Sequence, residues 1–273
     1  MLSSQDSVPD GCANAAGGSV ATDTCLDGVA LKPTEVDLDT ADDLRMGTFT
    51  VDYEGHDHVP DASTLERLAA EREVRVTVPV RADGYDPLGD SSALDALPSQ
   101  VDLVFVAGNA AYLADRERER AVAPRLGAAL ERTRDAWVGT EGIERLALAT
   151  GATQFELLSR STVPTVRGLR SAGFGGEIAV YAPTVLTGDE DAILDAMGAY
   201  VSRRRPVARA LPDDAPTDAT ARGRARSVLL DAARDYALVG SNATIRERVA
   251  SLRAVGVDTV VGYPARGLDA FDA

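Results

Sequence analysis

Lysine is almost missing from this chain: Lys32 is the single lysine among 28 basic residues. Cysteine (two), histidine (two) and tryptophan (one) are nearly as scarce. Each scarcity excludes something. With Lys32 alone, an aldolase-type Schiff-base barrel has only one candidate nucleophile. Cys12 and Cys25 lie in a polar leader with no histidine nearby, which argues against a zinc site and against a disulfide framework. Basic charge is outweighed, 28 against 43 acidic residues, for a net charge of −15. That balance does not suit nucleic acid or anionic lipid as a partner. No apolar run reaches transmembrane length, and the first residues lack the charged-then-apolar order of a signal peptide. The expectation is a cytoplasmic protein. No Walker loop or nucleophile elbow occurs.

What is present is aspartate, which outnumbers glutamate about two to one. Abundant aspartate with almost no lysine matches proteins that work in molar salt, where the screening length falls to about 3 Å and self-repulsion is quenched. An extremely halophilic source is expected.

Residues 1–25 read as a flexible tail of Ser, Asp, Gly, Asn and Ala without periodicity. Beyond it, eight short apolar or β-branched runs stand out: Gly28–Leu31, Met46–Asp52, Glu73–Val80, Val101–Ala107, Asp135–Gly139, Gln154–Leu158, Glu177–Tyr181 and Asp258–Gly262. Several are continuously apolar, as strands covered on both faces are. Helical patterns fall between them: Leu65 and Leu68; Leu113, Val122, Leu126 and Leu130; Ile143 and Leu146, stopped at Gly151; Val163, Val166 and Leu169, stopped at Gly173. Thr187 is the expected N-cap of a further helix, and Asn242 or Ser241 that of the last, which carries Ile245, Val249 and Leu252. Strand–helix alternation with eight strands predicts an α/β fold, a (β/α)8 TIM-type barrel over residues 26–273. The long gap between the last two strands predicts a helical insertion at about 184–236.

In such a barrel, chemistry gathers where the strands end and the βα loops converge. After the first run, Lys32 is either an anion partner or a salt-bridged surface residue. After the second comes Tyr53-Glu-Gly-His-Asp-His58, which holds both histidines; Glu54, His56 and His58 are candidate acid–base groups because imidazole titrates near neutrality. Arg81, after the third, is a candidate carboxylate or phosphate partner, in a loop whose aspartates read as flexible and salt-adapted. Gly108 and Asn109, after the fourth, suit close approach of a planar ring. After the fifth, Gly139-Thr140-Glu141-Gly142 precedes a helix, and its backbone N–H groups form a candidate phosphate cradle. Arg160, after the sixth, is a candidate grip for an acidic tail. Trp137 and Phe155 lie within strands and are expected in the core. No metal site is expected.

Three segments carry a family resemblance. Trp137-Val-Gly-Thr-Glu-Gly-Ile-Glu-Arg-Leu-Ala-Leu-Ala-Thr-Gly151 resembles a strand, glycine loop and helix that hold a cofactor phosphate. Ile178-Ala-Val-Tyr-Ala-Pro183, followed by an acidic helix start, resembles the segment before a variable insertion. Leu238–Pro264, with Ala254-Val-Gly-Val-Asp258, resembles a closing helix and strand. Together they resemble the bacterial luciferase-like superfamily, which includes flavin monooxygenases and deazaflavin-dependent methylene-tetrahydromethanopterin reductases. The resemblance implies an oxidoreductase that transfers hydride with FMN or the deazaflavin coenzyme, acts on a small molecule such as a pterin-like one-carbon carrier, and forms a homodimer. Residues 26–130 carry little of the family pattern. That leaves a second reading open: a degenerate barrel without redox activity that binds a ligand or a protein.

Overall fold

The computed structural model describes residues 23–271. Eight parallel strands close into a ring: β1 (Gly28–Leu31), β2 (Thr48–Val51), β3 (Glu73–Pro79), β4 (Asp102–Val106), β5 (Trp137–Gly139), β6 (Gln154–Leu157), β7 (Ile178–Val185) and β9 (Thr259–Pro264). The order runs β1 through β7 and then β9, which pairs back to β1. A two-residue strand, β8 (Leu238–Val239), pairs with the far end of β7 outside this ring. Each expected run overlaps one ring strand. β7 continues to Val185, and β9 lies at Thr259–Pro264, beyond the expected Asp258 start and Gly262 end.

Alternation along each strand builds two layers of core. Val29, Leu31, Phe49, Val51, Val74, Val76 and Val78 pack in the main core with residues of the surrounding helices, such as Leu65, Leu68, Leu126 and Val249. A smaller cluster of Ala30, Val104, Trp137, Phe155, Ala179 and Val261 contains the two aromatic residues expected in the core. Near the N-terminal ends of the strands, the Arg75 guanidinium lies 4.1 Å from the Trp137 ring centre. It pairs with Glu73, and Asp102 is 3.7 Å away. A charged group is held there by a planar stack and two carboxylates, so this end of the ring is plugged.

The helices of seven residues or more are α1 (Ala62–Ala69), α2 (Val122–Arg132), α3 (Glu144–Thr150), α4 (Thr162–Ser171), α5 (Glu190–Ser202), α6 (Gly223–Tyr236) and α7 (Asn242–Ala254). Gly151 ends α3 in the left-handed region (φ 72°), as expected of a helix-stopping glycine. Ser241 is the N-cap of α7, its hydroxyl accepting from Thr244 N–H at 3.3 Å. Two expectations fail. Leu113 does not belong to α2, because the charged run around Arg116 forms a separate short turn, Asp115–Arg118. Thr187 is not the cap of α5; Asp189 is, accepting from Asp191 N–H at 2.9 Å. Aspartate places an anion as well as an acceptor at the positive helix end.

Between β7 and β8 the chain builds α5, a short turn (Arg205–Ala208) and α6. These share an apolar cluster of their own, with Ile193, Leu194, Met197, Val201, Leu229 and Tyr236. No helix among the described residues is long and apolar enough to cross a membrane. The expected flexible tail, 1–25, falls mostly outside the described residues. Its last member, Cys25, is buried and disulfide-bonded, which corrects the reading of the cysteines; its partner lies outside the described residues.

Candidate functional site

The ring opens at its C-terminal end onto a cavity of about 580 Å³, roofed by α5. β1 and β2 deliver the first polar groups. Just past β1, the Lys32 ammonium sits 4.0 Å from the centre of the Tyr263 ring and 3.3 Å from Glu35 Oε1. The Tyr263 hydroxyl donates to the other oxygen of Glu35. Just past β2, Asp52 lines the cavity, where the Tyr181 hydroxyl donates to its Oδ2 at 3.0 Å.

Burial pushes the Asp52 carboxyl up to about 7; the Tyr181 bond and Lys32 pull it down, and Glu54 and Glu35 add to the rise. A carboxyl held near neutrality is available both as acid and as base. Burial also raises the Tyr181 hydroxyl well above the usual phenol range, so this phenol remains a donor. Glu156 is also raised to about 7, by burial and by Glu144. It is not among the cavity residues, whereas its neighbours in β6, Phe155 and Leu157, are. Asp52 is therefore the carboxyl raised to about 7 that lines the cavity.

The walls are aromatic. Tyr181 and Tyr263 lie nearly parallel, 6.2 Å between ring centres and 15° between planes. Phe155 meets Tyr181 edge-on at 5.9 Å. Tyr53 and the exposed Tyr112 also line the cavity and meet edge-on at 6.3 Å. Tyr112 holds φ 62°, an uncommon backbone conformation outside glycine.

The residues singled out from sequence divide three ways. Glu54, Asn109, Gly139 and Glu141 line the cavity. Glu54 is buried and accepts from the N–H and hydroxyl of Thr34 at 2.9 and 2.6 Å, so it anchors the loop after β1. The Asn109 side chain accepts from Ala111 N–H at 2.8 Å.

Gly108, Thr140 and Gly142 sit behind this lining. A Cβ on Gly108 would lie 1.9 Å from the Glu141 carbonyl oxygen, so its glycine serves the contact between two loops. Thr140 is buried, and its N–H donates to the Phe155 carbonyl at 3.1 Å. Ile143 N–H goes to the Thr140 carbonyl at 3.0 Å and Gly142 N–H to Glu144 at 3.4 Å. The expected phosphate cradle thus has these three donors already engaged, and the Glu141 carboxylate stands beside them.

His56, His58 and Arg160 lie outside the cavity lining and are exposed. His56 stacks on Tyr85 (5.7 Å, 29°) in a separate groove of about 280 Å³. The turn His56–His58 carries both imidazoles onto the outer flank, because Glu54 turns inward and Gly55, at φ 112°, redirects the chain. Arg81 is also reassigned. It is buried and donates to the backbone carbonyls of Arg118, Gly108 and Asn109, at 3.1, 3.4 and 3.3 Å. The aspartates of its loop are not loose: Asp83 pairs with Arg116 and Arg120, and Asp86 with Arg125 at 2.8 Å.

Sequence reasoning did not single out Asp52, Tyr181 or the arginines after α5 as site residues. The signal for Asp52 was parity. It continues the alternation of Thr48 and Thr50 one step past the end of β2, where a side chain reaches the mouth.

The fold and the mouth define a (β/α)8 TIM-type barrel with its candidate site at the C-terminal end of the strands, the usual end. The chain belongs to the family of unknown function (DUF7388), whose model matches residues 21–271. It is 26% identical over 187 residues to the uncharacterized protein MJ1239 of Methanocaldococcus jannaschii, covering 65% of this chain and 77% of that protein. Among solved structures it is similar to an F420-dependent secondary alcohol dehydrogenase in complex with an F420–acetone adduct. That likeness has a TM-score of 0.59 at 12% identity and covers 90% of this chain and 96% of the other; it is a likeness of fold.

Proposed function

We propose that this protein is a luciferase-like oxidoreductase that binds a planar ring, FMN or the deazaflavin coenzyme, in the barrel mouth. Asp52 would exchange a proton with a small-molecule substrate there. The observation that carries the reading is Asp52 itself, a carboxyl raised to about 7 and bonded by Tyr181 in the lining of an aromatic cavity. The fit is to the ring: Phe155, Tyr181, Pro183 and Tyr263 offer flat apolar surface. The structural neighbour, determined with an F420–acetone adduct, agrees with this choice of ligand. A bound flavin or deazaflavin supplies hydride chemistry. The chain's own part is to exclude water with the α5 roof, to orient substrate against Asp52, and to hold or release a proton at Asp52 Oδ1, the oxygen that does not accept from Tyr181. Lys32, already paired to Glu35, keeps the Asp52 carboxylate tolerable when it forms.

An absorbance titration with FMN, and then with the deazaflavin coenzyme, in molar salt tests this. Saturable spectral change with either one is expected. A flat response with both would overturn the cofactor reading.

A second reading, a ligand-binding barrel without redox cofactor, is favoured by the engaged donors of the Gly139–Gly142 turn and by the carboxylate of Glu141 beside it. It expects small-molecule binding that Asp52→Asn weakens, with no response to flavins.

A further inference from the structure

The charges around the cavity are not mixed evenly. Glu35, Asp52 and Glu54 follow β1 and β2, with Lys32 neutralised among them. β5 lies four strands away from β1 in a ring of eight, on the opposite side. There the lining is Glu141 together with Arg203 and Arg204, the first residues after α5.

Arg204 is held in place. Its guanidinium lies 4.5 Å from the Tyr200 ring centre and 5.6 Å from that of Tyr236, and it donates to the Tyr200 hydroxyl. Its pairing with Glu141 is long, 3.4 Å, and Glu141 is half exposed. Arg203 is exposed toward the mouth and no carboxylate pairs with it among the described residues. Two adjacent guanidinium groups therefore face the cavity. One is pre-oriented by aromatic rings and the other is uncommitted, while a single replaceable carboxylate stands between them and the strand-5 turn. Such an arrangement recognises an oxyanion, since guanidinium donors match phosphate and carboxylate oxygens in pairs.

We propose that Arg203 and Arg204 form the anion subsite of this cavity, and that Glu141 occupies part of it until a ligand's phosphate or carboxylate displaces it. This rests on the reading that the mouth binds a planar small molecule. It moves the anchor of that molecule from the strand-5 turn to the insertion. The ligand would then be a ring with an anionic arm, its ring end toward Asp52 and its arm toward α5.

Two measurements test this. The first compares FMN with riboflavin, which share a ring and differ by the phosphate. Wild type is expected to bind FMN about tenfold more tightly, which corresponds to about 1.4 kcal/mol. Arg203→Gln and Arg204→Gln should bring that ratio toward one while keeping riboflavin affinity, and Glu141→Gln should tighten FMN. Arg203→Gln serves as the variant that leaves packing intact, because Arg203 is exposed and makes no ion pair with the described residues.

The second measurement is thermal protection by inorganic phosphate and by succinate at matched ionic strength. Protection in wild type and loss in both variants is expected, and the two probes separate phosphate from carboxylate recognition. If phosphate and succinate protect but flavins do not bind, the subsite stands and the cofactor reading falls. If FMN and riboflavin bind equally and neither anion protects, the subsite falls and ring binding stands. If no ligand binds or protects, both fall.

Discussion

At the scale of the residue, the decisive group is a single carboxyl. The raised value of Asp52 means that between about pH 4 and pH 7 the folded chain keeps a proton that the unfolded chain releases. Stability therefore falls as pH rises through that window. Asp52→Asn removes this pH dependence, and its melting temperature should gain on wild type by roughly 5 °C between pH 5 and pH 8. Calorimetry at the two pH values checks this. Loss of the Tyr181 hydroxyl has the opposite local effect to a neighbouring cation: it deletes a bond that favours the charged form. Tyr181→Phe should move the Asp52 titration to higher pH, read by the carboxyl carbon resonance, and any pH-dependent activity should follow. Asp52 was legible only in retrospect. A titratable side chain one step past a strand is a weak signal beside two histidines in one loop, and the histidines drew attention because imidazole titrates near neutrality without help. What they lacked was placement, which depends on the turn at Gly55 and not on residue type.

At the scale of the element, most of the architecture could be read directly. All eight ring strands were visible as apolar or β-branched runs, several of them continuous because a strand covered on both faces needs no alternation. The glycine stops of α3 and α4 were visible because Gly151 and Gly173 adopt positive φ. The cap of α5 was misplaced by two residues because Thr187 and Asp189 both have capping side chains, and only the path of the chain decides between them. Asp189→Ala should cost about 1 kcal/mol of stability by loss of that cap. The loops were the hard part. Glycine at 108 read as room for a ring, whereas its space is taken by the Glu141 carbonyl. Gly108→Ala forces these loops apart and should destabilise the fold by about 1–3 kcal/mol. Urea unfolding would measure both variants, and Gly108→Ala should also loosen Glu141 from Arg204.

At the scale of the whole molecule, the net charge of −15 opposes compaction, and arginine-rich clusters such as those around Asp83 and Asp86 offset part of it locally. Added salt screens the remaining repulsion over distances of about 3 Å at 1 M. The melting temperature should climb steadily with KCl and much less with an uncharged osmolyte of equal osmolality. The composition made that repulsion legible at once. It could not reveal how the roof meets the ring, since this depends on contacts between segments far apart in the chain, such as Arg204 with Glu141.

The tethering of that roof has its own consequence. The chain leaves the ring at Val185 and comes back to its outside at Leu238, which lies in register beside Thr184 at a neighbouring-strand spacing of about 4.8 Å. Departure and return are thus side by side on one staff, and the intervening helices carry a private apolar centre. Such a segment behaves as a cassette: β7 and β8 run parallel, so a crossover of some length must stay, but a relative's version grafted in its stead leaves the threading of the ring unchanged. On the proposed reading, ligand preference would travel with this module, and swapping one stretch of sequence should carry it across.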